Sequence, residues 1–316
     1  MLLRKCCVSV LFVIFTASVS AQQDKLITHF IYDKMSINPG KTGMGMLNTI
    51  CATSLYRNQW DKVSGAPNSA VLNIEADLSR FFPGGIGLAF YHDAIGFSRQ
   101  NNVILNYSYP ITIGSGTLGL GIGVGIMNYG MDPLWVPPTS NPDNSLPIGF
   151  AATNLDVNFG AYYNGKDFYA GISSTHLTET LLKQSVNNFD HTYQTARHYY
   201  LMGGKKFQDI LGGTIDAQVL MRTDMVKFSA DINARYIYDF GNSKVGYGGM
   251  TIRSSDGIAL MFGYTPLENL TVGYSYDLTL FNKLASISRG SHELLVRYCY
   301  NIPEPPKQNA RHPRWL

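Results

Sequence analysis

From Phe228 onward the chain alternates. Phe228, Ala230, Ile232, Ala234, Tyr236 and Tyr238 share one parity, and Ser229, Asp231, Asn233 and Arg235 share the other. Successive side chains of an extended strand point to opposite faces, so this spacing makes a strand with one apolar and one polar face. The split recurs with Leu155, Val157, Phe159, Ala161 and Tyr163 against Asn154, Asp156, Asn158 and Gly160, and with Leu270, Val272, Tyr274, Tyr276 and Leu278 against Thr271, Gly273, Ser275 and Asp277. It recurs again with Leu294, Val296, Tyr298 and Tyr300 against Glu293, Leu295 and Arg297, and with Leu118, Leu120, Ile122, Val124 and Ile126 against Gly119, Gly121, Gly123 and Gly125. Several runs reach about ten residues, beyond the usual strand of about 5–6 and close to the roughly 9–11 that cross a bilayer at a tilt. Tyr107/Tyr109, Tyr162/Tyr163, Tyr199/Tyr200 and Tyr298/Tyr300 sit at strand ends, as an interfacial aromatic girdle requires.

Fourteen segments fit the pattern: 44–56, 68–79, 85–93, 101–113, 116–129, 151–164, 167–174, 197–207, 213–222, 228–240, 244–252, 257–264, 269–280 and 290–302. The connections after even-numbered segments are tight (80–84, 114–115, 165–166, 208–212, 241–243, 265–268), whereas most after odd-numbered ones are long (57–67, 94–100, 130–150, 175–196, 281–289). Short turns on one rim and long loops on the other define an all-β, outer-membrane antiparallel up-and-down β-barrel of about 14 strands, with 12–16 compatible with the weaker runs. An even count puts both termini on the short-turn, periplasmic rim. A soluble β-sandwich also alternates, but its outer faces would be dense in charge. Charged residues are only 15% here, and the faces opposite the apolar ones are Gly, Asn, Ser and Thr.

Arg4-Lys5, the apolar stretch from Val8 to Phe15 and Val19-Ser20-Ala21 have the layout of a cleaved signal peptide. The expected organisation is therefore a signal peptide over 1–21, one transmembrane barrel over 22–302, and a Pro-rich basic periplasmic tail over 303–316. About twenty residues then precede the first strand, too few for a sizeable plug, while small lumen-side residues (the glycine face, Ala89, Ala259) leave room for loops to fold inward. Cys51 and Cys299 fall on the first and last strands, neighbours where a barrel closes. The first strand's parity is ambiguous, so the expectation is two buried free thiols; a bridge requires Cα atoms within about 7 Å.

The net charge of +3 leaves no basic footprint for nucleic acid. The triplet Ser291-His292-Glu293 cannot serve as a catalytic relay, because adjacent strand residues face opposite ways. No zinc-ligand spacing and no nucleophile elbow is present, so neither catalysis nor a cofactor is expected. Glu293 and Arg297 share a lumen-facing parity and, with Asp231 and Arg235, are candidates for ion pairs across the lumen.

Ile37-Asn38-Pro39-Gly40 with Gly43 forms a turn before the first strand. Arg57-Asn58-Gln59-Trp60, Gly65-Ala66-Pro67, Asp93-Ala94-Ile95-Gly96, Tyr107-Ser108-Tyr109, Gly116-Thr117-Leu118-Gly119, Phe159-Gly160-Ala161-Tyr162-Tyr163, Phe168-Tyr169-Ala170-Gly171-Ile172-Ser173, His198-Tyr199-Tyr200, Gly203-Gly204, His292-Glu293 and Pro313-Arg314 follow in order. This ordered set, spanning essentially the whole mature chain, resembles the PorP/SprF family of type IX secretion outer-membrane proteins. Gly40-Lys41 departs from the Ala-Tyr usual after Asn-Pro, a change that only eases the turn. The resemblance implies a non-enzymatic role in exporting or anchoring secreted adhesin-like proteins, often of gliding machinery, beside a periplasmic ring of core components. Expected partners are outer-membrane lipid, periplasmic secretion components and a secreted cargo protein. Candidate contact residues are Trp135 and Val136 in a stiff outer loop, Arg57 and Trp60 as rim packing or cargo contact, and Lys307, Arg311, Arg314 and Trp315 in the tail. The rival function is a passive channel for small or hydrophobic solutes.

Overall fold

The computed structural model describes residues 25–132, 149–179, 181–186, 189–281 and 283–303. The strands are β1 (Thr49–Asn58), β2 (Asn68–Asp77), β3 (Gly85–Ile95), β4 (Ser98–Ile113), β5 (Gly116–Met131), β6 (Phe150–Asn164), β7 (Phe168–Thr175), β8 (Leu181–Val186), β9 (Phe189–Gln194), β10 (His198–Ile210), β11 (Gly213–Thr223), β12 (Phe228–Asp239), β13 (Val245–Arg253), β14 (Gly257–Leu267), β15 (Leu270–Thr279) and β16 (Ser291–Asn301). Fourteen of them close an antiparallel barrel in chain order, β7 pairing directly with β10, and β1 with β16. Each of the fourteen wall strands overlaps one of the fourteen patterned segments, but the first is corrected at its start: β1 begins at Thr49, and residues 44–48 form turns ahead of it. The additional β8–β9 hairpin lies in the connection 175–196, expected to be a plain loop. Its six-residue strands are too short to show the long alternation by which the wall is recognised.

The sidedness of the wall is inverted relative to a soluble sheet. Leu72, Ile122, Phe159, Ile172, Leu201, Ile232, Phe262 and Leu294 are 41–63% exposed on the outside. Asn73, Asn106, Asn158, Ser173, Asn233, Thr251, Ser275 and Glu293 are at most 4% exposed on the inside. An apolar exterior of this extent is stable against lipid, not water, and a closed barrel leaves no unpaired edge within it.

At the seam, Cys51 and Cys299 are register partners and form a disulfide, with Cα atoms 4.0 Å apart. The expectation of free thiols is corrected: the register places both sulfurs on the lumen face of adjacent strands.

The lumen is not empty either. Residues 25–48 fold inside it as short helical turns at Phe30–Tyr32, Lys34–Ile37 and Pro39–Lys41. Ile27, Phe30 and Met35 are 1–2% exposed there. Thr28 and His29 lie beside Arg57 and Glu293, near the long-loop rim. Gly43 packs on Ala76 and Gly85 at the tight-turn rim. The segment thus fills the pore lengthwise, correcting the expectation that so few residues could not plug it. Helical turns are compact, and the glycine wall leaves a bore narrow enough to be filled. The pairing Thr49–Asn301 keeps the start of β1 and the end of β16 together on the tight-turn rim. Lys25, however, lies in the opposite half of the lumen, its carbonyl accepting from Arg222 near the end of β11.

Candidate functional site

The plug and its socket are the most elaborated polar site among the described residues. At the long-loop end, the amides of Thr28 and His29 donate to the two oxygens of Glu293 at 2.8 and 2.7 Å, and His29 Nδ1 lies 2.8 Å from the latter oxygen. Arg57 Nη1 donates to Thr28 Oγ1 at 2.9 Å and lies 3.3 Å from Glu293 Oε2, while its Nη2 lies 2.7 Å from Asp277. Thr28 Oγ1 donates to Asp277 at 2.7 Å. Arg253 bridges Asp231 and Asp277, each at 3.2 Å, and reaches the Ile27 carbonyl at 3.3 Å. Arg222 completes the cluster on Asp231. Three arginines thus face three carboxylates, and the plug backbone supplies the remaining donors and acceptors. Buried charges persist only when so paired.

Lower in the lumen, Arg235 pairs with Asp216 at 2.8 Å and donates to the Tyr32 hydroxyl at 3.1 Å. Asp33 accepts from Asn73 at 2.6 Å and lies 3.5 Å from Lys25.

On the opposite side the plug is held by shape. The Asn38 side chain accepts from the Gly40 amide at 2.9 Å, shaping the turn, and donates to the carbonyls of Ala161 and Ile172 at 3.0 and 3.2 Å. Ser173 and Ser108 donate to the carbonyls of Ile37 and Gly40 at 2.7 and 2.8 Å. A Cβ at Gly121 would sit 2.2 Å from the Pro39 carbonyl carbon, and one at Gly119 would sit 2.1 Å from the Gly40 oxygen. The glycine face of β5 is therefore a seat for the Pro39-Gly40 backbone. At the tight-turn rim Glu75 accepts from Lys41 at 2.9 Å and from the Gly43 amide at 3.0 Å.

The structure redistributes the residues singled out in the sequence. Asp231, Arg235 and Glu293 do point inward, but their arginine and aspartate partners are on neighbouring strands, Glu293 also meets His29 of the plug, and among the described residues none of these pairs spans the bore from wall to wall. Facing residues of adjacent antiparallel strands are about 5 Å apart, well within side-chain reach. Arg297 has no carboxylate within ion-pair distance among the described residues; it contacts Cys51 Sγ at 3.4 Å and the Tyr32 ring at 5.7 Å. Arg57, expected at the rim, is 1% exposed on the lumen face of β1, where it is held in ion pairs and not presented at the surface. Trp60 is half-buried on the long-loop rim and donates to Asp256 at 3.1 Å. His292 faces outward to the Tyr274 hydroxyl at 2.7 Å, while Ser291 and Glu293 are fully buried inside. Trp135, Val136, Lys307, Arg311, Arg314 and Trp315, with the expected signal peptide over 1–21 and the expected tail beyond Pro303, lie outside the described residues. Thr28, His29, Arg222, Arg253 and Asp277 went unnoticed as a group. Their one signal was charge on the lumen parity of strands far apart in sequence. Among the described residues no cluster of His, Cys, Asp or Glu suits a metal ion.

An apolar belt outside, a charged lumen and a lumen-filling segment define a plugged membrane β-barrel of the outer-membrane type. Residues 19–298 match the family described as type IX secretion system membrane protein PorP/SprF, and the chain belongs to that family. A search of curated protein sequences finds no significant match. Among solved structures, the Ralstonia pickettii toluene transporter TbuX is similar at a TM-score of 0.53 and 12% identity, over 85% of this chain and 93% of that one. A Pseudomonas aeruginosa FadL homologue aligns at 0.44 and 9%, over 81% of this chain and 89% of that one. These likenesses concern the fold.

Proposed function

We propose that the protein is a non-enzymatic component of type IX secretion, helping to export secreted adhesin-like proteins, such as those of gliding machinery, or to anchor them at the surface. It would do so by binding partners at its rims, without passing them through its bore. The observation that carries this reading is the lumen filled by residues 25–48, pinned by buried ion pairs at one end and by backbone-on-glycine contact at the other. A pore closed in this way suits a rigid platform. In this reading the long-loop rim, with Trp60 and the loop carrying Trp135 and Val136, faces outward toward cargo. The tight-turn rim, with the tail, faces periplasmic components. The matched family supports the pathway assignment. The test is a deletion strain examined for its secreted and surface-bound proteins, with crosslinking in native membranes to recover partners. Loss of particular cargo from the surface is the expected result.

The second reading is a channel for small hydrophobic solutes, favoured by the likeness of fold to the toluene transporter TbuX. Normal secretion in the deletion strain, together with lost uptake of such a solute, would decide for it.

A further inference from the structure

The seam of the barrel carries a charged patch that the plug and its socket do not use. At the long-loop rim the connection 59–67 meets the connection 280–290. The Asp61 amide donates to the Gly290 carbonyl at 2.7 Å, and the Arg289 amide donates to the Asp61 carbonyl at 3.0 Å. This backbone pairing sets Lys62 beside Arg289, and Lys283 opens the short turn Lys283–Ser286 of the same loop. All three cations are exposed, and none has a carboxylate within ion-pair distance among the described residues. Asp61 is the one acid in the two connections. Asp256, on the neighbouring turn, is buried and bonded to the Trp60 indole. Apart from the buried lumen clusters, the rest of this rim shows no such excess of positive charge. Arg99, Arg197 and Lys227 stand there with Asp93, Asp132, Glu179 and Asp224 among the side chains described.

Below the cations the outer wall is aromatic. The Tyr276 hydroxyl donates to the Arg289 carbonyl at 2.6 Å, which holds that arginine over the outward face of β15. Tyr276, His292 and Tyr274 form one outward patch, the imidazole lying 5.1 and 6.1 Å from the two tyrosine rings and its Nδ1 2.7 Å from the Tyr274 hydroxyl. Phe281 and Ile287, 56% and 62% exposed, stand among the cations. Cations above an aromatic belt, with large apolar side chains between them, suit the level of lipid headgroups: stems and rings enter the apolar layer while the charges stay in the polar one. Unpaired positive charge selects an anionic headgroup, and a guanidinium beside an ammonium suits phosphate. A soluble acidic partner would meet the same charges, but it would leave the outward rings beneath them without a role.

We propose that Lys62, Lys283 and Arg289 hold the phosphates of a phosphorylated glycolipid of the outer leaflet, whose acyl chains lie on the wall below Tyr276 and His292. The lipid is then fixed at the closure of the barrel, beside the junction of β1 and β16. From the functional reading this takes only the orientation, with the long-loop rim outward.

The test is retention of fluorescent diphosphorylated lipid A by the immobilised full-length protein in neutral detergent with EDTA. Affinity at least tenfold higher than for the dephosphorylated lipid is expected, and that preference should fall several-fold in 0.5 M NaCl. The triple variant K62Q/K283Q/R289Q should reduce it to within about twofold, with heat-modifiable migration confirming an intact barrel. The control R99Q/K227Q should leave it unchanged. Should the triple variant not fold, the salt dependence of the wild-type protein and the dephosphorylated lipid still decide. Equal binding of the two lipids, equal preference in the triple variant and the wild type, or displacement by millimolar inorganic phosphate would overturn the site. Orientation is read apart from binding, by an impermeant maleimide on Ser64→Cys in intact cells, where labelling is expected. Labelling only after permeabilisation, with lipid binding intact, would overturn the outer-leaflet assignment together with the orientation in the functional reading. Labelling of intact cells without lipid binding would remove the site and leave that reading standing.

Discussion

The two sides of the lumen hold the same plug by different physics. The side built from β11 to β16 and β1 grips residues 27–29 through Arg57, Arg222 and Arg253 against Asp231, Asp277 and Glu293, each group buried and each depending on the others. The side built from β3 to β7 uses few charges. Gly85, Gly119 and Gly121 admit the plug backbone, and Gly160 the Asn38 side chain, to distances that any side chain would block. Ion pairs fix where the segment sits along the pore, and the glycine wall fixes how deeply it lies. A mobile stopper needs neither so fully. The comparison makes separate failures for the two walls, and these are measurable.

The largest functional effect, opening of the pore itself, is expected on the glycine side. Gly121→Val drives side-chain atoms into the Pro39 backbone, a clash with no flexible group to yield. Overpacking of this kind costs about 1–3 kcal/mol or more. The plug should be expelled, giving a barrel with measurable conductance in planar bilayers, whereas Gly248→Ala, with nothing within 4 Å, should stay closed. A closed Gly121→Val pore would mean that the ion pairs alone seat the plug.

On the charged side, Arg57→Ala should destabilise the protein by about 3–5 kcal/mol, because it removes the arginine partner of buried Glu293 and one of the two at buried Asp277. Arg57→Met combined with Asp277→Leu should recover part of that loss. A double-mutant cycle in urea reads the coupling, and strict additivity would show that the cluster does not act as a unit.

The seam comes next. Cys51→Ser with Cys299→Ser removes a cross-link between strands 248 residues apart in sequence, worth about 2–5 kcal/mol. Boiled, unreduced wild-type protein should migrate faster than the reduced form, and the double variant should show no such difference. Two free thiols per denatured chain would contradict the bridge.

The smallest effect belongs to the turn between β11 and β12 on the long-loop rim. At Asp224, burial favours the neutral acid, but the amides of Lys227 and Val226 outweigh it and hold the carboxyl below its usual range. A depressed carboxylate contributes stability above its unfolded-state pKa and loses it as pH falls through the folded value. Asp224→Asn should therefore cost about 0.5–1 kcal/mol at neutral pH and nothing once the wild-type carboxylate is protonated. Thermal melts across pH read this, and an equal deficit at acid pH would exclude the carboxylate as its cause.

The wall was legible because period two is a local property. Runs such as Phe228 to Tyr238 carry their own face assignment, and the lengths of the intervening loops carry the topology. The glycine parity of β5 was legible as space, though not as a seat for Pro39-Gly40. The Asn38-Pro39-Gly40 turn was read correctly as a turn, but nothing local says that it turns inside a barrel.

Alternation and loop spacing by themselves determined a membrane barrel with a polar interior, because lipid outside and hydrogen bonding between neighbouring strands leave one arrangement for such a pattern. What occupies that interior was decided only in three dimensions. Whether Cys51 meets Cys299, whether Glu293 finds Arg57 or Arg297, and whether residues 25–48 lie within the bore depend on register and closure. Those bring together groups up to 265 residues apart, and pairing at that range is a property of the closed wall and of no single strand.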